Sequence, residues 1–343
     1  MITRHHEPLS EHTTLRVGGP ANTFVVAETE HELIDIVRDA DAQGTPLFVF
    51  GAGSNVVVSD LGWDGIAVKV ATSGMQHETA ACAGATVTVA AGEHWDAFVE
   101  HAIDNEWSGV EALSGIPGNV GATPIQNVGA YGQDVSHTIS RVRTYDRESK
   151  QVRTFYAADC EFGYRSSVFK RQPQRFVILD VQYQLRLGPQ SMPIAYPELA
   201  AKLGVTVGER STSRAVREAV LELRRAKGMV LDVADHDTWS VGSFFMNPTV
   251  ESWLVPTNAP QWPAAEDRVK VSAAWLVEHS GIPKGYSLGD AATSTKHALA
   301  ITNRGAATAD SIMELARLIQ ERVRVAFSID LEMEPTYVAN ATN

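Results

Sequence analysis

The sequence predicts an α+β protein with more than one domain. A strand, a helix and a second strand follow one another between Phe24 and Phe50, as in a small α/β unit. Apolar and polar residues then alternate in three segments between Ile139 and Leu187, which is typical of antiparallel sheet. A length of 343 residues allows two or three domains, each with its own core.

Local signals mark each element of the first unit. Residues 24–27 read as a strand, and Thr29 stands three residues before Glu32, the spacing of a capping box at a helix start. Gly44 suits the C-terminal cap of that helix, and residues 46–50 form the next predicted strand. The apolar face predicted for the helix consists of Leu33, Ile36, Val37 and Ala40.

Two glycine-rich loops come next. The first, residues 51–55, resembles the start of a dinucleotide fingerprint, but residues 56–58 read as a strand where a Rossmann site needs a helix. The second spans residues 114–133 and contains five glycines, two prolines and no charged residue. Each loop predicts either backbone amides that bind an anion at close range or an ordered structural turn.

The middle region alternates in the manner of a sheet. Residues 86–90 read as a strand, and a helix follows whose apolar face is Trp95, Phe98, Val99, Ala102 and Ile103. The alternating segments are residues 139–145, 151–156 and 175–187. In the last of them we expect the opposite face to be polar and one face to be buried, namely Val177, Leu179, Val181, Tyr183, Leu185 and Leu187.

The remaining predicted elements are three helices and a terminal strand. The helices are Ser213–Ala226, Ser272–His279 and Ala309–Phe327, and the strand is Ile329–Met333. We expect three domains, at residues 1–75, 76–225 and 226–343.

Composition narrows the class of protein. A net charge of −12 argues against nucleic acid as a partner, because backbone phosphates demand a basic surface. Cys82 and Cys160 form neither a CxxC nor a metal pattern, which favours a reducing, cytoplasmic compartment. The start of the chain lacks a signal peptide's apolar segment, and no apolar run approaches the ~20 residues of a membrane helix. We expect no metal, no membrane insertion and no obligate protein partner.

Reactive side chains occur in four short stretches. Arg165 stands beside Tyr164 in GYRSS, and arginine suits a carboxylate or phosphate. In the largely apolar stretch SVGSFFMNP, the side chains of Ser243 and Asn247 need polar partners. Lys227 lies just before it, and LEMEP near the C-terminus carries two carboxylates. A solvated surface position is the alternative for each charged residue.

Taken in order, these stretches resemble one family. SGIPGNVGATPIQNVGAYG, with GAGSN before it and GYRSSVF, GSFFMNP and LEMEP after it, is similar to the UDP-N-acetylenolpyruvoylglucosamine reductases, the MurB family. The blocks run from Gly51 to Glu334, so the resemblance covers nearly the whole chain.

The resemblance implies a fold and a reaction. The fold is an FAD-binding, PCMH-type (vanillyl-alcohol-oxidase-like) module of two subdomains, followed by a C-terminal α+β substrate-binding domain. The reaction is reduction of the enolpyruvyl ether of UDP-N-acetylglucosamine to UDP-N-acetylmuramate in peptidoglycan precursor synthesis. The implied cofactor is non-covalent FAD, with NADPH as co-substrate, and neither glycine-rich loop contains a histidine that could tether a flavin.

The resemblance also implies roles for individual residues. Arg165 would be the cation that stabilises the charge developing at the substrate carboxylate, and Glu334 would be its partner at that carboxylate. Ser243 would donate a proton to carbon. Substrate contacts would come from Tyr164, Tyr196, Lys227 and Asn247, with Tyr196 as a lid residue. The implied FAD contacts are Gly51, Ala52, Gly53, Ser54, Asn55, Ile116, Pro117, Gly118, Asn119, Val120, Gly121, Ile125, Gln126 and Asn127.

The sequence departs from the family pattern in places, and two other functions are compatible with part of it. Met333 stands where the family has a proline, and Glu332 is an alternative carboxylate two positions from Glu334. The loop around Tyr196 varies, which leaves the lid role the least constrained. Another flavin oxidase or dehydrogenase of the same fold, or a non-catalytic nucleotide-sugar binding protein, would share only part of these blocks.

Overall fold

The computed structural model describes residues 2–264 and 266–340. The chain divides into two compact units. The first comprises Met1–Glu7, Ala21–Ala52 and Asp64–Arg225, and the second comprises Pro8–Pro20, Gly53–Trp63 and Ala226–Asn343. The three-domain division expected from the sequence stays a prediction.

The strands, in chain order, are β1 (Ile2–Pro8), β2 (Pro20–Ala27), β3 (Leu47–Phe50), β4 (Val56–Val58), β5 (Trp63–Val70), β6 (Met75–Ala80), β7 (Gly84–Ala90), β8 (Trp107–Ser108), β9 (Gly129–Ala130), β10 (Gln133–Asp134), β11 (Ile139–Asp146), β12 (Gln151–Tyr156), β13 (Phe176–Leu187), β14 (Thr249–Glu251), β15 (Gln261–Pro263), β16 (Arg268–Val271), β17 (Ser287–Leu288), β18 (Ala291–Thr293), β19 (Ile301–Asn303) and β20 (Thr336–Val338). The α-helices are α1 (Glu30–Gln43), α2 (Trp95–Asp104), α3 (Val168–Arg171), α4 (Pro197–Leu203), α5 (Ser213–Ala226), α6 (Ala273–His279) and α7 (Ala309–Phe327). Short 3₁₀ turns are Leu9–His12, Glu111–Leu113, Val120–Ala122, Val135–His137, Ala157–Cys160, His236–Thr238 and Ser252–Leu254.

The small α/β part of the first unit is as predicted. Its sheet has the order β1-β2-β5-β3, and β3 runs parallel to β5. The capping box at the start of α1 is confirmed, since the Glu32 amide donates to Thr29 Oγ1 at 3.2 Å and the Glu32 carboxylate accepts from the Thr29 amide at 3.2 Å. Gly44 ends the helix in the left-handed conformation, with a φ of 65°.

The larger sheet is antiparallel, with the order β12-β11-β13-β7-β6, which confirms the reading of the alternating segments. The predicted face of β13 is buried from Val177 to Leu185, but Leu187 is 44% exposed. Leu187 lies at the strand end, where its partner is Trp107 of the two-residue β8.

The expectation of a polar opposite face on β13 is wrong in part, because Phe176 and Ile178 lie on that face. Ile178 and Asp180 on that face are buried. Arg143 explains part of this burial, because it pairs with Asp180 and also donates to Glu30 of α1 at 2.9 Å. Burial raises the pKa of the Asp180 carboxyl in spite of the arginine. Glu30 of helix α1 is therefore part of the charged environment on this face of β13.

Aromatic packing in the first unit supports the second glycine-rich loop. Trp95 and Phe98 of α2 pack against Tyr183 with ring centroids 5.9 and 4.8 Å away. The Trp95 indole donates to the Leu113 carbonyl at 3.0 Å, and the Tyr183 hydroxyl bonds the Thr123 hydroxyl at 2.9 Å. All predicted core residues of α2 are buried, which confirms that prediction. Trp95 bonds the residue just before the loop, and Tyr183 bonds a residue within it.

An ion pair ties α2 and α5 to the start of that loop. Arg217 donates to both carboxylate oxygens of Asp96, at 2.6 and 3.0 Å, and the Gly115 amide donates to the same carboxylate at 2.6 Å. Burial acts to raise the pKa of Asp96, but these donors outweigh it and the pKa is lowered. The predicted helix Ser213–Ala226 is confirmed as α5.

The second unit has its own core around α6, α7 and the sheet β17-β18-β19. The helix predictions for this region are confirmed, with Ser272 as the N-cap of α6. The terminal strand predicted at Ile329–Met333 is wrong, because the regular strand is β20, parallel to β4. Ile329 and Leu331 are buried like strand residues, yet the segment gains only an isolated bridge between Met333 and Phe245.

Candidate active site

The first glycine-rich loop runs directly into β4, as the sequence predicted. Gly53 has a φ of 63°, and a Cβ there would lie 2.2 Å from the His12 carbonyl oxygen and 2.8 Å from Thr13 Cα. The Thr14 amide donates to the Gly53 carbonyl at 3.2 Å. Both the backbone conformation and the close approach of the 12–14 segment therefore require glycine at this position.

Gly53→Ala is expected to destabilise the protein by at least about 2 kcal/mol, through left-handed strain plus backbone overlap. Gly44→Ala is the matched control, because Gly44 has nearly the same φ of 65° but nothing within 4 Å of its Cβ position. It should lose only the strain, about 1 kcal/mol. Urea unfolding of both variants measures the difference, and equal losses would contradict the steric account.

The second loop packs tightly on residues 91–93. The Val120 amide donates to the Glu93 carbonyl at 2.9 Å, and the Gly121 amide donates to the Ala91 carbonyl at 2.8 Å. A Cβ on Gly121 would lie 2.6 Å from Ala91 Cβ. The expected anion cradle thus does not use these two amides, and glycine is needed here for close packing.

Gly51, at the start of the first glycine-rich loop, lies close to Asn119 of the second loop within the first unit. A Cβ on Gly51 would lie 3.0 Å from Asn119 Oδ1, and Asn119 Nδ2 donates to the Gly92 carbonyl. Among the described residues, the buried Asn119 Oδ1 has no hydrogen-bond partner. Because buried amide oxygens are nearly always bonded, a hydroxyl-bearing ligand at this junction would fit. The junction is compatible with a cofactor that follows both loops.

The other predicted cofactor residues differ in exposure. Gly53, Asn119, Val120, Gly121 and Asn127 are buried. Partly or fully exposed are Gly51, Ala52, Ser54, Asn55, Ile116, Pro117, Gly118, Ile125 and Gln126.

Arg165 is fixed against the second loop. Its guanidinium donates to the Gly129 carbonyl at 2.7 Å and to the Asn127 carbonyl at 3.4 Å, and it lies 5.5 Å from the Tyr164 ring centroid. Asn127 Nδ2 in turn donates to the Gly163 carbonyl at 3.1 Å. The φ of Arg165 is 50°, and strain of this kind is common at functional sites. The GYRSS turn and the second loop are thereby one cluster.

Tyr196 packs on a residue that the sequence reading did not single out. Its ring meets Tyr131 edge-on, with centroids 5.6 Å apart. Burial raises the pKa of Tyr131 to about 12 and also raises the pKa of Tyr196. Tyr131 lies in GAYGQ with a φ of 49°. Only its place in the loop could have drawn attention to it.

In the second unit, backbone pairing brings the two predicted catalytic stretches side by side. The Glu334 amide donates to the Phe244 carbonyl at 2.9 Å, and the Met246 amide donates to the Glu332 carbonyl at 2.9 Å. Ser243 therefore lies one residue from a direct backbone contact of Glu334. Glu334 is half-buried, whereas Glu332 is exposed.

Asn55, in the first glycine-rich loop, is hydrogen-bonded to the segment that contains Glu334. Asn55 Nδ2 donates to the Glu334 carbonyl at 3.4 Å, and the Thr336 amide donates to the Asn55 carbonyl at 3.0 Å. A predicted cofactor residue and a predicted catalytic residue thus share a hydrogen-bond network.

Ser243 also faces a histidine that sequence reasoning missed. Ser243 Oγ lies 3.4 Å from His297 Nε2. The histidine belongs to a turn, residues 294–297, far along the chain. No local spacing links the two positions, so only the fold reveals the pair.

Asp237 holds that turn. Its carboxylate accepts from the Thr295 amide at 3.0 Å, the Thr295 hydroxyl at 2.8 Å and the Ser294 hydroxyl at 3.1 Å, and it pairs with Arg304 at 2.8 Å. Burial acts to raise the pKa of Asp237, but the Thr295 bonds, the arginine and the Ser294 bond outweigh it and the pKa is lowered.

This carboxylate gives a testable pH dependence. The Asp237 carboxyl has a lower pKa in the folded protein than in the unfolded chain, where it is about 3.9. Its ionised form therefore stabilises the fold at any pH above about 3.9, and this stabilisation is lost as the pH falls through the folded pKa. Wild type should therefore lose more unfolding free energy below about pH 4 than Asp237→Asn does. Urea unfolding from pH 6 down to pH 3 measures both slopes, and identical slopes would contradict the assignment.

Two further predicted substrate residues lie in the second unit. Asn247 Oδ1 accepts from the Ala273 amide at 2.9 Å, so its side chain also fixes the start of α6. Lys227 precedes Gly228, where a Cβ would lie 3.4 Å from Lys296 Cδ and 3.7 Å from Ser294 Oγ. The Lys227 segment thus runs beside the turn that carries His297.

Among residues 2–264 and 266–340, no three histidine, cysteine or acidic side chains lie together in a group able to hold a metal ion. In the same residues, none of the helices combines the length and apolarity that crossing a bilayer requires.

Two family models match the chain. Residues 21–154 match the FAD binding domain, and residues 234–338 match the C-terminal domain of UDP-N-acetylenolpyruvoylglucosamine reductase. These matches support the predicted FAD-binding PCMH-type fold with a C-terminal domain and an FAD-dependent oxidoreductase activity.

Known proteins similar to this chain include UDP-N-acetylenolpyruvoylglucosamine reductases. A UDP-N-acetylenolpyruvoylglucosamine reductase of Cutibacterium acnes is 54% identical, over 96% of this chain and 89% of that protein. Its namesake in Streptomyces coelicolor is 47% identical, over 98% and 90%. The crystal structure of the reductase (MurB) from Thermus caldophilus superposes with a TM-score of 0.69 at 25% identity, covering 98% of this chain and all of that one. At this identity and coverage, the chain belongs to the UDP-N-acetylenolpyruvoylglucosamine reductase family, as its glycine-rich, GSFF and LEMEP blocks predicted.

Proposed function

We propose that the chain reduces the enolpyruvyl ether of UDP-N-acetylglucosamine to UDP-N-acetylmuramate, with NADPH as the electron donor, in peptidoglycan precursor synthesis. Family membership sets the reaction class. The observation that supports it in this chain is the backbone pairing of the Ser243 and Glu334 stretches. The two cysteines, both free thiols, suit the reducing cytoplasm in which NADPH and nucleotide sugars occur.

FAD fits the residues of the two glycine-rich loops. Residues 51–55 would hold its diphosphate, and residues 116–121 with 125–127 would line the path toward the flavin. Asn119, whose Oδ1 is buried next to Gly51, would accept a hydroxyl donor there. When bound, FAD would carry a hydride from NADPH to the alkene carbon of the substrate.

The chain's own residues would manage charge and proton. Addition of hydride to the terminal alkene carbon places negative charge on the neighbouring carbon and its carboxylate. Arg165 is a cation already fixed by two carbonyls, so it would stabilise that charge without reorganising. Glu334 would orient the carboxylate end, and Ser243 would donate the proton that completes the new C–H bond.

The remaining residues would bind the nucleotide sugar. Lys227 and Asn247 would contact the diphosphate, and Tyr164 would contact substrate beside Arg165. Tyr196 would cover the substrate from its packed position on Tyr131.

Anaerobic absorbance of the flavin tests the proposal. NADPH should bleach the oxidised band, and the enolpyruvyl sugar should then restore it. Bleaching without restoration would indicate another flavoenzyme of this fold. If no flavin band appeared even after FAD was added, a nucleotide-sugar binding protein would be the better account.

A further inference from the structure

The histidine beside Ser243 is placed to act on its hydroxyl. His297 Nε2 lies 3.4 Å from Ser243 Oγ, and both residues are half-buried in the second unit. Hydrogen bonds of catalytic groups are often this long in a structure without substrate and shorten when the substrate binds.

The backbone around His297 is anchored. The Ser294 hydroxyl accepts from the His297 amide at 3.2 Å and from the Lys296 amide at 3.0 Å, while it donates to the buried Asp237. Lys296 Nζ also pairs with Asp235 at 2.6 Å. This turn therefore presents the imidazole from a fixed frame, as a positioned group requires.

Ser243 needs such help if it is to release a proton. A serine hydroxyl is a weak acid, and giving its proton to carbon leaves negative charge on Oγ. An N–H aimed at Oγ stabilises that charge in proportion to how fully it develops in the transition state. We propose that His297 is a positioning residue that donates an Nε2–H hydrogen bond to Ser243 Oγ, an inference that rests on the proposed function.

The proton balance is simple. The Ser243 O–H bond breaks as the new C–H bond of the product forms, and the electron pair stays on Oγ. The His297 N–H lowers the energy of that oxyanion without giving up its own proton. Water then returns a proton to Oγ, and the hydroxyl is restored. The same hydrogen bond also occupies one lone pair of Oγ, so the serine proton points away from the ring.

The test is a double-mutant cycle on the second half-reaction. His297→Ala, Ser243→Ala and the double variant are reduced with NADPH and mixed anaerobically with the enolpyruvyl sugar. His297→Ala should slow flavin reoxidation at saturating sugar by about 10- to 100-fold. In the Ser243→Ala background the same change should cost less than about twofold, because its target is gone.

Three controls separate positioning from damage to the fold. His297→Gln keeps an amide N–H donor and should retain most of the rate. His279→Ala removes a surface histidine stacked on Trp275 in the same unit and should change nothing. Reduction by NADPH should be equal in all variants.

The outcomes are distinct. Equal losses from His297→Ala with and without Ser243 would overturn the inference, as would an unchanged reoxidation rate or an effect confined to the sugar concentration at half-saturation. Wild type that is not reoxidised by the sugar would instead overturn the proposed function.

Discussion

Ser243→Ala is expected to slow reoxidation of the flavin by the enolpyruvyl sugar by about 10²- to 10⁴-fold, the usual contribution of a general acid. The serine hydroxyl is the proposed proton source for carbon, and alanine at this position has none to give. Reduction by NADPH should be unaffected, because that step needs no proton from Ser243. Stopped-flow absorbance under nitrogen measures the two half-reactions separately.

Ser252→Ala is the control for this variant. Ser252 is an exposed serine that begins a 3₁₀ turn in the same unit, and its loss should leave both rates within twofold. FAD content and unfolding midpoints should match wild type in both variants. If Ser243→Ala kept the wild-type reoxidation rate, another group would have to be the acid.

Glu334→Gln is expected to cost about 10²- to 10³-fold in the same half-reaction, similar to the loss of one preorganised group at a developing charge. The glutamine keeps the shape of the side chain and removes the carboxyl group that would orient the substrate carboxylate. The backbone bonds of residue 334 to Phe244 and Asn55 involve main-chain atoms, so they should survive the change. The rate of reoxidation at saturating sugar is again the measurement.

Glu332→Gln is the matched control, since it lies two residues away in the same segment and pairs with Met246 only through its carbonyl. Its side chain is exposed, so this substitution should leave the rate of flavin reoxidation unchanged. If Glu332→Gln were the slow variant and Glu334→Gln the normal one, the roles of the two carboxylates would be exchanged. Equal activity in both would point to an acid elsewhere.

Most of the fold could be predicted because its signals are local. The capping box at Thr29, the αL glycine at Gly44 and the alternation in β13 depend only on nearby residues. The prediction of a strand at Ile329–Met333 fails because burial with strand-like alternation does not by itself make a strand. A strand also needs a neighbouring segment that pairs with its backbone.

The candidate site shows a similar limit. Block order led to Ser243 and Glu334, but not to His297 or Asp237, which carry no local pattern of their own. The reason for glycine at position 121 was also different from expectation, because amide use depends on the neighbouring carbonyls. Burial on the second face of β13 depended on Arg143 and α1, which lie elsewhere in the sequence.

The discontinuous second unit has a consequence for synthesis on the ribosome. Leu15, Val17 and Val57 are made first, but the apolar core that buries them also contains residues of α6 and α7. Strand β4 likewise cannot pair until β20, its parallel partner near the C-terminus, has been synthesised. Such distant pairings close late and leave apolar side chains exposed in the nascent chain. A chain that stopped before α7 would therefore present unburied apolar residues from its own N-terminal part, and it should be a substrate for chaperones and proteases.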